Sequence, residues 1–343
     1  MRVLITGTDG YIGALVAPFL ADRGHRVRGI DTGFYRDGWL SVDSGPSAVR
    51  PSVVSKDLRH IDPSDLVDCD AVVHLAELSD DPLCEIDPEV TFEINRAGSV
   101  ALGELAREAG VRRFVYASSC SVYGISDQDL VTEESRAEPQ TAYAKCKLLV
   151  ERDLAALADD NFVPVFLRNA TAYGASPRMR FDSVLNNLSG AAWTTGKITL
   201  VSDGMPWRPL VHVEDISQAI ACALEAPDDA VRAEVFNVGQ DDENYRIRDI
   251  AALVAEAFPG CDLTQGPTDP DQRSYRVSFR KIANALPEFK CRWTARKGIR
   301  QLRELFDRIG LDEEQFQFRA FTRVKALKHL QLTGQIDQRL FWI

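Results

Sequence analysis

Short apolar runs alternate with amphipathic stretches through the first half of the chain, and that alternation predicts β-α-β units wound onto a parallel sheet. The runs at Val3–Thr6, Arg26–Ile30, Val53–Lys56, Ala71–Leu75, Phe114–Ala117 and Val163–Leu167 read as strands. Between them, helical spacing of apolar residues covers Tyr11–Arg23, Glu89–Ala109 and Ala142–Ala158, and Gly110-Val111 reads as a helix stop leading into a strand. The expectation is an α/β fold, a doubly wound parallel sheet over residues 1–168. After Arg168 the rhythm changes, and loops rich in Gly, Pro and Asn separate shorter elements, with helices predicted at Val213–Leu224 and Ile247–Ala257. Residues 169–310 therefore read mainly as a smaller mixed α/β substrate-binding lobe, some of whose segments return to the sheet. A helical tail, 311–343, carries Phe316, Phe318, Phe321, Val324, Leu327, Leu330 and Leu332 in an amphipathic pattern. Packing against the body accounts for that pattern, and a subunit contact is the alternative.

Composition narrows the class. The chain has 343 residues, enough for a sizeable core, and its 45% apolar and 27% charged content is that of a globular protein. A formal charge of -11 argues against nucleic acid or an anionic membrane as partner. An anionic small molecule stays open, because a few local Arg and backbone N–H groups suffice to hold it. The seven cysteines are scattered and never spaced Cys-x-x-Cys, which points away from a disulfide framework or a metal site and toward a reducing cytoplasm. No apolar run approaches membrane-spanning length and the first strand begins at the amino terminus, so the expectation is a soluble cytoplasmic protein.

Candidate chemistry begins with Gly7-Thr8-Asp9-Gly10-Tyr11-Ile12-Gly13, between the first strand and first helix. Glycines there permit a tight turn, close approach of backbone to a pyrophosphate, and tight helix packing, and the helix amino end supplies N–H donors. Asp31, ending the second strand, can accept both ribose hydroxyls of NAD and would repel the extra phosphate of NADP, although Arg28 and Arg36 lie near in sequence. Asp57-Leu58 follows the third strand, where the acid either accepts from adenine or caps a turn. His74-Leu75-Ala76 ends the fourth strand beside the crevice, with His74 read as a packed strand residue.

Far downstream, Tyr143 and Lys147 stand at i and i+4 of a helix and point the same way. A phenol titrates near 10, so it needs a neighbouring cation to serve as a base at neutral pH. Tyr116-Ala117-Ser118-Ser119-Cys120-Ser121-Val122-Tyr123-Gly124 closes the fifth strand at the crevice mouth, where a serine hydroxyl can hold a substrate alcohol against Tyr143.

With these motifs together the chain resembles, over roughly residues 1 to 310, the extended short-chain dehydrogenase/reductases, specifically the NAD-dependent epimerase/dehydratase enzymes acting on nucleotide sugars. The resemblance implies a Rossmann domain binding NAD, with Ser119, Tyr143 and Lys147 catalytic. It implies cofactor contacts from Gly7, Gly10, Tyr11, Ile12, Gly13, Asp31, Asp57, Leu58, Leu75, Ala76, Asn95, Tyr143, Lys147 and Asn169. Substrate contacts would come from Ser79, Ser119, Thr171, Asn187, Leu188, Arg208 and Arg273. The two arginines match the family's diphosphate clamp, for which bidentate guanidinium binding is the physical reason, and an ion pair is the alternative for either. Thr171 stands where the family has Asn, and Asp80-Asp81 either select a polar sugar or cap the next helix. Dehydratases carry Asp-Glu after the serine position and decarboxylases a Glu in this loop, whereas this chain has Cys120-Ser121. Cys120 reads as a packing residue, one position early for the cysteine of 3,5-epimerising relatives. The resemblance therefore implies 4-epimerisation through a transient ketone, with a 4-dehydrogenase or 4-ketoreductase as the alternative. It also implies a homodimer through Glu89–Ala109 and Ala142–Ala158.

Overall fold

A computed structural model describes residues 1–41, 51–126, 128–267 and 273–343. Its strands are β1 (Arg2–Thr6), β2 (Arg26–Asp31), β3 (Ser52–Ser55), β4 (Ala71–His74), β5 (Arg113–Ser119), β6 (Val163–Asn169), β7 (Thr171–Tyr173), β8 (Lys197–Leu200), β9 (Trp207–His212), β10 (Val235–Val238), β11 (Asn244–Arg246) and β12 (Asp262–Gln265). Seven of them form one sheet in the order β10-β6-β5-β4-β1-β2-β3, with every pairing parallel. The order reverses at β1, between β2 and β4, which opens a crevice at the carboxyl ends of the strands. Two small sheets, β11-β9-β7 and β12-β8, stand beside it. β10 is the segment of the second half that rejoins the main sheet, through β6.

Alternation along the strands sends side chains to two faces. Ile5, Val73, Val115 and Val165 pack with Val16 and Leu20 of the Gly13–Asp22 helix and with Ile216 and Ile220 of the Val213–Glu225 helix. On the other face Leu4, Val72, Phe114 and Phe166 meet Leu102 and Ala106 of the Ser99–Glu108 helix and Val150 and Leu154 of the Ala142–Ala155 helix. Helix boundaries depart from the apolar pattern in one instructive place. The expected Glu89–Ala109 helix is a turn at Pro88–Thr91, a widened π segment at Phe92–Gly98 and a regular helix from Ser99. The widening lets Asn95 and Ser99 both reach the loop after β4, as the site requires.

The tail packs on the body. Phe316 and Phe321 join Phe181 and Phe306 in one core, while Leu327 and Leu330 join Leu78, Leu83 and Cys84 in another. Leu332 is left exposed.

The Ala142–Ala155 helix is fixed to the sheet by charge as well as by apolar contact. Thr141 caps its amino end by accepting from the Ala144 N–H. Two turns beyond Tyr143, the buried Glu151 carboxylate accepts from Arg168 Nη2 (2.7 Å) and Nε (2.9 Å) at the end of β6 and from the Ser118 hydroxyl (2.5 Å) at the end of β5. Arg168 also donates to the Tyr123 hydroxyl at 3.0 Å. Removing one partner strands the other's charge in the interior, so Arg168→Leu should cost about 3–5 kcal/mol of unfolding free energy in a denaturant titration.

Candidate functional site

The crevice at the reversal of strand order is a cleft of about 430 Å³. One wall is the glycine turn. Gly7 has φ +78°, and a Cβ on it would meet Ala76 N at 2.9 Å. A Cβ on Gly13 would lie 2.1 Å from the Gly7 carbonyl oxygen, so side chains are excluded where the turn folds back on the helix start. Gly10, Tyr11, Ile12 and Gly13 line this wall with Leu75 and Ala76 opposite. Tyr11 itself is pinned, its hydroxyl donating to Gly174 O at 2.7 Å and accepting from Asn186 at 3.0 Å.

Asp31 lines the next stretch, its carboxylate accepting from Gly33 N at 2.7 Å and Asp9 N at 3.0 Å. Burial pushes its pKa up, with the Asp9 charge adding to the effect and the Gly33 and Asp9 N–H groups opposing it. Arg28 turns away from Asp31 to the carbonyls of Asp65 and Val67. Asp57 and Leu58 also line the cleft, but the Asp57 carboxylate is a cap: it accepts from Arg59 N at 2.8 Å and pairs with the Arg59 guanidinium at 2.7 Å.

At the far end Ser119, Tyr143 and Lys147 converge. Burial first, and then the charges of Glu77 and Asp81, push the Tyr143 pKa well above the usual value for tyrosine, and the nearby Ser119 hydroxyl opposes them. Lys147 is buried, its Nζ donating to Ala117 O at 2.5 Å and lying 2.7 Å from Glu77 Oε2. Glu77 is the residue that the sequence reasoning passed over, although it directly follows His74-Leu75-Ala76 at the crevice edge. Its other oxygen accepts from Tyr116 at 2.6 Å and Ser99 at 3.2 Å. Its place three residues past the end of β4 gives no signal by itself, since a single acid there reads as a solvated turn. His74 continues the network inward, with Nε2 2.8 Å from Ser99 Oγ and Nδ1 2.6 Å from Thr6 Oγ1. Burial first, and Lys147 second, push the His74 pKa down to about 3, so the imidazole is neutral and packed.

The remaining expected residues separate into those at the cleft and those behind it. Asn169, Thr171, Ser79, Arg208 and Arg273 line it. Arg273 pairs with Asp81 at 2.5 Å, and Arg208 donates to the carbonyls of Trp207 (2.9 Å) and Arg273 (2.5 Å). Asp80 is a helix cap, accepting from Leu83 N at 2.8 Å, and also pairs with Arg180 at 3.0 Å. Asn95 is not at the cleft surface: its amide exchanges two 2.8 Å bonds with the backbone of Leu78 and so holds the loop bearing Glu77 and Ser79. Asn187 and Leu188 are not among the residues that line the cleft. Asn187 is solvent-exposed and bonds Phe181 O at 2.7 Å, Leu188 is buried in a hydrophobic core, and the same segment presents Ser183 and Val184 to the cleft instead. Four residues, one turn of helix, carry the second pair along the axis and past the cleft. Cys120 is buried away from the cleft with its thiol on Arg168 O at 3.2 Å.

Two buried polar atoms that belong to cleft-lining residues, Asn169 Oδ1 and Ser121 Oγ, have no hydrogen-bond partner among the described residues. Unmet polar groups in a cleft call for a polar ligand. Together with the side-chain-free glycine turn, they fit a dinucleotide whose amide end reaches β5 and β6.

Comparison with known proteins agrees with this geometry. The model of the NAD dependent epimerase/dehydratase family matches residues 3–239. The UDP-glucose 4-epimerase of Bacillus subtilis is 26% identical over 332 residues, 88% of this chain and 94% of that protein. A probable UDP-glucuronate 4-epimerase of Rhizobium meliloti is 30% identical over 239 residues, 66% of this chain and 69% of that protein. Among solved structures, MoeE5 in complex with UDP-glucuronic acid and NAD superposes with a TM-score of 0.76 at 26% identity, covering 90% of this chain and 99% of that one.

Glu77 carries a negative charge that disfavours ionisation of the Tyr143 phenol, and Lys147 Nζ lies 5.5 Å from the phenol ring. Glu77→Gln keeps hydrogen-bonding capacity but removes a negative charge that disfavours phenolate. The acid limb of a kcat/KM pH profile should then move about one unit to lower pH; a limb that stays in place would show that Glu77 does not act on Tyr143.

Proposed function

Because the chain belongs to the NAD-dependent epimerase/dehydratase family, we propose that it is a nucleotide-sugar 4-epimerase. The observation that carries the reading is that Ser119, Tyr143 and Lys147 line one cleft with the glycine turn and with Arg208 and Arg273, the Lys147 ammonium lying 5.5 Å from the Tyr143 ring. NAD, when bound, supplies the acceptor and later the donor of the hydride. Ser119 orients the C4 hydroxyl of the sugar, Tyr143 takes its proton, and the same phenol returns the proton once the 4-keto sugar has turned its other face. Lys147 holds the phenol's surroundings polar, and Arg208 and Arg273 orient the diphosphate. The absence of an acid and base at Cys120-Ser121 removes the drivers of elimination and leaves re-reduction as the outcome. The names of the relatives favour a UDP-sugar.

The test is turnover of UDP-, GDP-, CDP- and dTDP-sugars by purified protein without added cofactor, followed by NMR of the sugar. Epimerisation with no net NADH is expected, and Tyr143→Phe should lower kcat at least about 100-fold. Accumulation of NADH with a 4-keto product would replace the epimerase reading by a 4-dehydrogenase.

The homodimer would use the outer faces of the Ser99–Glu108 and Ala142–Ala155 helices, which lie side by side on one flank of the sheet. Sedimentation velocity should give twice the chain mass, and Lys145→Glu with Leu149→Glu on the second helix should give the monomer.

A further inference from the structure

The carboxyl-terminal segment reaches the dinucleotide cleft at two separate points. Arg323, the first residue of the Arg323–Leu332 helix, lines the cleft while only 3% exposed. Its guanidinium lies 4.0 Å over the Tyr35 ring, and among the described residues it meets no hydrogen-bond acceptor. The nearby carboxylates are already engaged, since Arg180 pairs with Asp80 at 3.0 Å and Asp182 at 2.7 Å. A buried guanidinium with its donors unmet is costly unless an anion or acceptor arrives.

The second contact is at the end of the segment. Trp342 Nε1 donates to Thr32 O at 2.8 Å, directly after Asp31, and its ring lies 5.8 Å from that of Phe34. Phe341 lies 3.5 Å under the guanidinium of Arg59, the partner of Asp57, and stacks on His60 at 5.2 Å. A second cavity lies there, bounded by Thr32, Lys56, Asp57, Phe341 and Trp342. The segment thus spans from the Tyr35 side of the cleft to the ends of β2 and β3.

We propose that residues 323–343 form a strap that retains the dinucleotide, with the Arg323 guanidinium on its pyrophosphate and Phe341 and Trp342 walling its adenosine end. This rests on the reading that the cleft takes NAD. The pyrophosphate is the anion chosen because the Arg323 guanidinium lies over Tyr35, in the loop that follows Asp31 at the end of β2, whereas Arg273 is tethered to Asp81 and Arg208 to the Arg273 carbonyl. A recycled cofactor has to stay bound through both half-reactions, which gives such a strap its purpose.

The measurements are the NAD content of the purified chain and the NAD dissociation constant by calorimetry, with UDP as a control ligand. Arg323→Met should raise the NAD constant at least about tenfold, as loss of a charge-assisted contact does, and leave UDP binding unchanged. Trp342→Ala, at a side chain 45% exposed and therefore safe for folding, should lower NAD content in the same direction. Circular dichroism checks that each variant folds; if Arg323→Met does not, Trp342→Ala carries the test. NAD affinity unchanged in the folded variants overturns the strap while the cofactor reading stands. Weakened UDP with intact NAD binding reassigns Arg323 to the substrate and also overturns it. A native chain that binds no NAD overturns both readings.

Discussion

One helix face organises this molecule. Tyr143, Lys147 and Glu151 follow one another at helical spacing, and the sheet meets each with a different polar group: Ser119 at the cleft, Ala117 O and Glu77 beneath it, and Arg168 with Ser118 at the base. A buried polar stripe of this kind contributes less to stability than apolar packing would, because desolvating the charges offsets their attraction. What it supplies is register. A helix held only by Val150 and Leu154 could rotate or slide by a fraction of a turn with little penalty. The Glu151–Arg168 pair cannot, and it lies two turns from the phenol, on β6 beside the strand that carries Ser119.

That arrangement explains which parts of the site the sequence made legible. The glycine turn, Asp31, Ser119 and the Tyr143/Lys147 pair lie within short segments whose backbone geometry is local, and the structure brings them to one cleft. The strands were legible because both faces of a parallel sheet are apolar, and their limits differ from expectation by a residue or two. The misreadings arise where a side chain's direction depends on elements distant in sequence. Asn187 and Leu188 stand on the expected helix one turn beyond the residues that line the cleft, and Asn95 is turned inward by a widened helical segment that apolar periodicity does not reveal. Asp57 and Asp80 were read with two roles open, and both are caps whose carboxylates are engaged by arginines as well.

Glu77 and the tail were illegible for a further reason. A single acid after a strand reads as a solvated turn unless one knows that Tyr116, Ser99 and Lys147 will close around it. The tail's apolar residues predict that it packs, and it does, but not where its polar residues then fall. Arg323 and Trp342 come next to residues about three hundred positions earlier, Tyr35 and Thr32, and no local pattern encodes such a meeting.

The charge arrangement of the cleft follows from these constraints. A chain of formal charge -11 that holds diphosphates needs cations where the ligand lies, yet long arginine side chains left free are disordered and weakly directed. Here Arg180 and Arg273 are tethered to Asp80, Asp182 and Asp81, and Arg208 to backbone carbonyls, so each guanidinium is positioned before a ligand arrives. Tethering by carboxylates also cancels much of the positive field, and the amino end of the Gly13–Asp22 helix and Arg323, held over the Tyr35 ring, add to the attraction that remains. The same trade governs the phenol. Glu77 fixes Lys147 in place and, after burial, disfavours the ionised Tyr143 phenol, so that side chain is held in geometry first, and its ionisation depends on what positive charge the occupied cleft adds.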